Sequence, residues 1–174
     1  MRKLLFISVG LLIIVGCKTV TEDPDAKVKA EAEAAFEKNS ETVLSLLESW
    51  QTENVDYSIY ADDFLSFDTG FNADKDEWTK SEMIESNKEM FQLFDFKMLS
   101  DANPLPGVHG ETKMLDGSVR IYSEWEITRT ATDSTEAKSG KIRLYHSFGF
   151  NDSGKIDYEM GYGDFTALMT YFME

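Results

Sequence analysis

The chain predicts an α+β domain in which helices pack on one face of a strongly curved antiparallel sheet. Three observations carry that reading. Helical periodicity dominates the first half of the sequence, strand alternation dominates the second, and short polar turns join the strands. Helices followed by hairpin-linked strands, instead of a regular alternation of the two, is the order of an α+β architecture.

The elements follow in chain order. Val43, Leu46, Leu47 and Trp50 recur at helical spacing and form one apolar stripe. A short helix is predicted over 55–61, carrying Ile59 and Tyr60. Phe64 to Asp68 reads as a strand, ended by Thr69-Gly70. Thr79 and Glu82 make a capping box for a helix over 80–94, which buries Met83, Ile84, Met90, Phe91 and Phe94. A short strand over 96–99 leads to a loop with Pro104, Pro106 and Gly107. A segment over 111–115 then enters a turn at Asp116-Gly117. The strand over 118–129 puts Val119, Ile121, Ser123, Trp125 and Ile127 on one face. After a polar connection over 130–140, the strand over 141–150 puts Ile142, Leu144, His146, Phe148 and Phe150 on one face. Asn151 to Gly154 is a hairpin turn into a strand over 155–163. There Tyr158, Met160 and Tyr162 share one side, and Glu159, Gly161 and Gly163 share the other. Glycines on a pocket side leave room for a ligand, and they equally mark a bend. Residues 165–172 finish as a helix or a tail.

Composition narrows the function classes. The 174 residues carry a formal charge of −15. Charge of that sign and size repels phosphate backbones, which argues against a nucleic-acid partner. Cys17 is the sole cysteine, so the chain forms no internal disulfide. Aromatic residues make up 13 % and supply a core without one. His109 and His146 stand far apart in sequence, which speaks against a zinc site. Asn72, Asp74 and Asp76 alternate like calcium ligands. Glu77 stands where such a loop needs glycine and Met83 where it needs its bidentate glutamate, so the segment reads as a solvated acidic loop. No metal and no cofactor is expected.

The N-terminus has its own pattern. Arg2 and Lys3 precede an apolar run, Leu4 to Val15, that closes in Gly16-Cys17. The run is shorter than the about 20 apolar residues needed to span a bilayer, and it reads as a signal peptide. With its terminal cysteine it resembles the lipobox of bacterial lipoproteins. That resemblance implies removal of residues 1–16, lipidation of Cys17 and membrane anchoring in the bacterial envelope. Lys18, in place of an aspartate, favours the outer membrane. Residues 17–38 are then a lipidated N-terminus and polar tether, either a solvated spacer or an extension of the next helix. Residues 39–174 form the domain.

Two passages in that domain resemble a known superfamily. The run Trp50, Asp56, Tyr60-Ala61-Asp62-Asp63-Phe64, Asp68 is similar to the helix-to-first-strand passage of NTF2-like proteins, in their SnoaL-like and ketosteroid-isomerase-like branch. Phe148-Gly149-Phe150, Gly154-Lys155-Ile156 and Tyr162-Gly163-Asp164 are similar to the last hairpin of that superfamily. The resemblance implies a cone-shaped sheet wrapped around the N-terminal helices, an apolar pocket and frequent homodimers. In the isomerase-like branch, a strand aspartate at the spacing of Asp68 is the general base, and a hydrogen-bond donor stands at the position of His146. The second donor of that branch, a helical tyrosine, has no counterpart, because Leu44 stands near its place. The isomerase activity is therefore not carried over.

Three functions remain open from the sequence. The domain binds a small apolar molecule, with Trp50, Asp68, Trp125, His146, Phe148, Tyr162 and Asp164 as candidate pocket residues. Alternatively it is an enzyme with Asp68 as base and His146 as donor, or an interaction module whose pocket is filled. Asp68 beside Thr69-Gly70 also suits a turn cap, His146 a core histidine, and Asp164 a backbone hydrogen-bonding role.

Overall fold

A computed structural model describes residues 24–174. Residues 1–16, read above as a signal peptide, and Cys17 lie outside the described residues. Helix α1 (Pro24–Gln51) runs unbroken through the proposed boundary at 38/39. A 3₁₀ turn (Tyr57–Ile59) leads into β1 (Tyr60–Phe67) and β2 (Glu77–Thr79). Helix α2 (Lys80–Leu93), β3 (Phe94–Met98) and β4 (Asn103–Val108) follow. The long strands β5 (Leu115–Arg129) and β6 (Lys138–Phe150), then β7 (Ile156–Tyr162) and α3 (Phe165–Met173), complete the chain.

The seven strands make one curved, unclosed sheet in the order β2-β1-β7-β6-β5-β3. Strand β4 shares the far edge of β5 with β3. It pairs opposite Leu115–Tyr122, and β3 pairs opposite Trp125–Arg129. The antiparallel expectation holds for every pair except β1 and β7, which run parallel. Hairpin turns determine direction only between consecutive strands. The partner of β1 comes from the far end of the chain, so no hairpin turn fixes their relative direction.

Local chemistry explains the other departures from the sequence reading. The expected helix over 55–61 shrinks to the 3₁₀ turn: Asp56 Oδ1 accepts the Ser58 N–H (2.9 Å) at its start, and Tyr60 is already extended (φ −88°, ψ 141°) as the first residue of β1. The Pro104–Pro106 loop is strand β4. Two prolines in one strand are tolerated at an edge, where their missing N–H groups face away from the ladder. The turn expected at Asp116-Gly117 lies earlier, closed by His109 N–H to Met114 O (2.9 Å). Gly117 instead lies under α1. It has φ +75°, a Cβ there would come within 3.0 Å of Ala35 Cβ, and its carbonyl accepts Asn39 Nδ2 at 2.9 Å.

The core lies between the helices and the concave face of the sheet. Val43, Leu46 and Leu47 of α1 meet Val119, Ile121, Trp125 and Ile127 of β5 and Ile142, Leu144 and Phe148 of β6. Each large apolar side chain removed from water contributes about 1.5–3 kcal/mol. Helix α3 folds back on the sheet through Leu168 and Phe172, which are 7 % and 2 % exposed. At the start of α2, the Glu82 carboxylate accepts the N–H (2.9 Å) and the hydroxyl (2.8 Å) of Thr79.

Candidate functional site

The core is not solid. A cavity of about 340 Å³ opens between α1, α2, α3 and the concave face. Its apolar wall comes from both layers. Trp50 stands edge-on to Phe91 (4.9 Å between ring centroids) and Phe96 (5.1 Å). Trp125 lies on the sheet side, its indole N–H donated to Ser123 Oγ at 2.9 Å. Leu46, Leu47, Met83 and Met90 complete that wall.

Two titratable side chains interrupt it. His146 of β6 stacks on Phe148 (5.8 Å, 30°). Its Nδ1 is buried and has no hydrogen-bond partner among the described residues. Burial holds the imidazole down to about 4, so the ring is neutral at physiological pH. Glu159 of β7 also lines the cavity. Burial pushes its carboxyl up to about 7, against a partly offsetting hydrogen bond from Tyr60 Oη to Glu159 Oε2 (3.3 Å). In the ladder, Phe148 stands opposite Glu159 and Gly161 stands opposite His146. The two polar groups are therefore diagonal neighbours on one face.

The residues singled out from the sequence fall in three places. Trp50, Trp125, His146 and Phe148 all border the cavity. Asp68 stands at its rim, exposed, with Oδ1 accepting the Gly70 N–H at 2.7 Å. Tyr162 is 49 % exposed on the opposite face of β7, 6.1 Å from the Tyr145 ring. Asp164 caps α3 by accepting the Ala167 N–H at 3.1 Å and is not among the cavity's side chains. Glu159, Asn87 and Tyr60 were not singled out. Asn87 borders the cavity from α2, with Nδ2 on Met83 Sδ at 3.1 Å. The one sequence signal for Glu159 was its place on the glycine side of β7, shared with Gly161.

No family model matches the sequence, and no curated protein does. Solved structures do. An NTF2-like protein from Anabaena variabilis superposes with a TM-score of 0.51, covering 85 % of this chain and 95 % of that one at 16 % identity. A protein provisionally described as a polyketide cyclase, from Xanthomonas campestris pv. campestris, gives a TM-score of 0.60 over 78 % of this chain and 97 % of that one, at 11 % identity.

The fold is NTF2-like.

A pinacolase from Penicillium brevicompactum shares this NTF2-like fold, with a TM-score of 0.59 over 79 % of this chain and 90 % of that one, at 10 % identity. At such identities the likeness speaks to the backbone, and chemistry must be argued from the side chains. In this NTF2-like domain those side chains are an aromatic wall and the diagonal pair Glu159 and His146, with Ser66, Asp68, Thr69, Ser86 and Asn87 also on the lining.

Proposed function

We propose that the protein is an exported lipoprotein, anchored through Cys17, whose NTF2-like domain binds a small, mostly apolar molecule with one polar group. The carrying observation is the orphaned, buried Nδ1 of His146, diagonal to Glu159 on the lining of an aromatic cavity. A buried polar atom without a partner costs about 1–3 kcal/mol, and a ligand's polar group removes that cost. Pockets of this kind are mainly apolar with a few placed polar groups that orient the ligand. Native mass spectrometry of the purified protein tests the reading. A retained small molecule, lost in Trp125→Ala, supports it; an unliganded protein that also binds no naphthalene-sized probe removes it.

A second reading is favoured by one observation. A carboxyl held near 7 inside a cavity is suited to proton transfer at neutral pH. In that reading Glu159 takes the acid–base role the sequence suggested for Asp68, and His146 hydrogen-bonds the reacting oxygen. Turnover of a carbonyl compound that vanishes in Glu159→Gln and survives Asp68→Asn distinguishes this enzyme from a binder.

A further inference from the structure

Tyr60 does not face the cavity. Its ring is 1 % exposed, set edge-on to Phe64 (4.7 Å) and 6.3 Å from the Tyr57 ring. Its hydroxyl lies behind Glu159, and it is the one hydrogen-bond partner of that carboxyl among the described residues. At 3.3 Å the contact is longer than the usual O–H···O range.

The other groups around the carboxyl do little to hold a charge on it. His146 faces it diagonally from β6 and is neutral. Tyr57 stands beyond Tyr60. Lys80 of α2 bonds the Tyr60 carbonyl oxygen (2.8 Å) and lies 3.7 Å from Asp62, so it meets the backbone of Tyr60 and not its hydroxyl. On its own strand, Asp157 feels Asp63 instead. When Glu159 ionises, Tyr60 is thus the donor within reach. Its own phenol is held well above its usual range by burial and by Glu159, so it remains a donor throughout.

We propose that Tyr60 is a positioning residue that controls the charge Glu159 shows to a ligand, and that through it the cavity discriminates neutral from anionic ligands. The ligand half of this statement rests on the binding reading above; the Tyr60–Glu159 half does not.

The test begins without a ligand. The protein is labelled with ¹³C at its glutamate side-chain carboxyls, and the Glu159 signal is assigned by its loss in Glu159→Gln. The expected result is a titration midpoint that rises by about one pH unit in Tyr60→Phe, a tenfold change in protonation constant. An unchanged or lowered midpoint overturns the proposal, even if stability falls, because a merely structural tyrosine alters stability without moving the midpoint. Should Tyr60→Phe not fold, global 3-fluorotyrosine labelling decides. The more acidic phenol is a stronger donor, so the midpoint drops; no drop overturns the proposal.

The ligand half is read with two dyes at pH 8. Tyr60→Phe is expected to bind 2-naphthoate about fivefold more tightly than the parent, as more Glu159 stays neutral, while affinity for neutral 2-acetylnaphthalene stays within about twofold. Equal changes for both dyes overturn the discrimination. If neither dye binds, the binding reading and the ligand half fall together, and the carboxyl titration alone judges the role of Tyr60.

Discussion

Gly161 stands opposite His146 in the β6–β7 ladder, and its missing side chain is what gives the imidazole its place. A Cβ at Gly161 would come within 2.9 Å of both Cδ2 and Nε2 of that ring. The carbonyl of the same glycine accepts the Thr69 hydroxyl from the cavity rim. One residue therefore holds Thr69 through its carbonyl and leaves room for the imidazole where a Cβ would stand.

Gly161→Ala should displace the ring from its stack on Phe148. Overpacking at such a site costs about 1–3 kcal/mol. Urea denaturation measures that loss, and the ¹⁵N imidazole signals of His146 should move with it. Unmoved signals would mean the ring does not depend on this glycine.

Glu159 and His146 should impose opposite pH dependences on stability. The Glu159 carboxyl is raised from 4.5 to about 7, so the folded state binds the extra proton between those values. Its contribution is complete below about 4.5 and is lost as pH rises through about 7. The His146 imidazole is lowered from 6.5 to about 4, so there the unfolded state binds the extra proton. Its contribution is complete above 6.5 and is lost as pH falls through about 4. The slopes oppose one another between about 4.5 and 6.5. Glu159→Gln should therefore leave stability rising with pH in that window, and His146→Gln should leave it falling. Chemical denaturation at half-unit pH steps reads both slopes; parallel profiles would refute the assignment.

All three tryptophans, Trp50, Trp78 and Trp125, border the cavity. Occupancy by 2-acetylnaphthalene should then quench intrinsic emission, and Trp50→Phe and Trp125→Phe should each remove part of the signal. Trp50→Ala should also cost about 3 kcal/mol, because it removes a ring held edge-on by Phe91 and Phe96. Titration fluorescence and urea midpoints check the two claims separately.

The proposed lipidation at Cys17 predicts that Cys17→Ala abolishes incorporation of labelled palmitate and moves the protein from the membrane to the soluble fraction. Retention in the membrane without label would rule out the lipid anchor.

Periodicity revealed most of the frame. The stripe from Val43 to Trp50 and the alternating faces of β5 and β6 needed only a count of apolar positions. Strand β4 was hidden because proline reads as loop unless an edge is known in advance. The parallel partner of β1 was hidden because nothing local records a pairing so distant in sequence. At the site, facing alone put Trp50, Trp125 and Phe148 in the core, the resemblance supplied the pocket that they border, and Tyr162, offered with them, lies on the other face. Glu159 was not, because a lone glutamate on a strand ordinarily looks to water. Asp68 drew attention by its spacing, yet its oxygen is engaged by Gly70 two residues on.

The junction of β1 with β7 has a temporal corollary. Tyr60 and Glu159 meet across 99 positions of chain. During synthesis, the first strand and β2 can pair with each other early, but they must wait for nearly the whole polypeptide before β7 joins them to the rest of the sheet. Contacts so remote slow the search for the native state. A nascent or truncated chain ending before residue 156 would hold its aromatic residues in an open, sticky half-sheet, and maturation becomes a late event in which the final two elements decide the outcome for the rest.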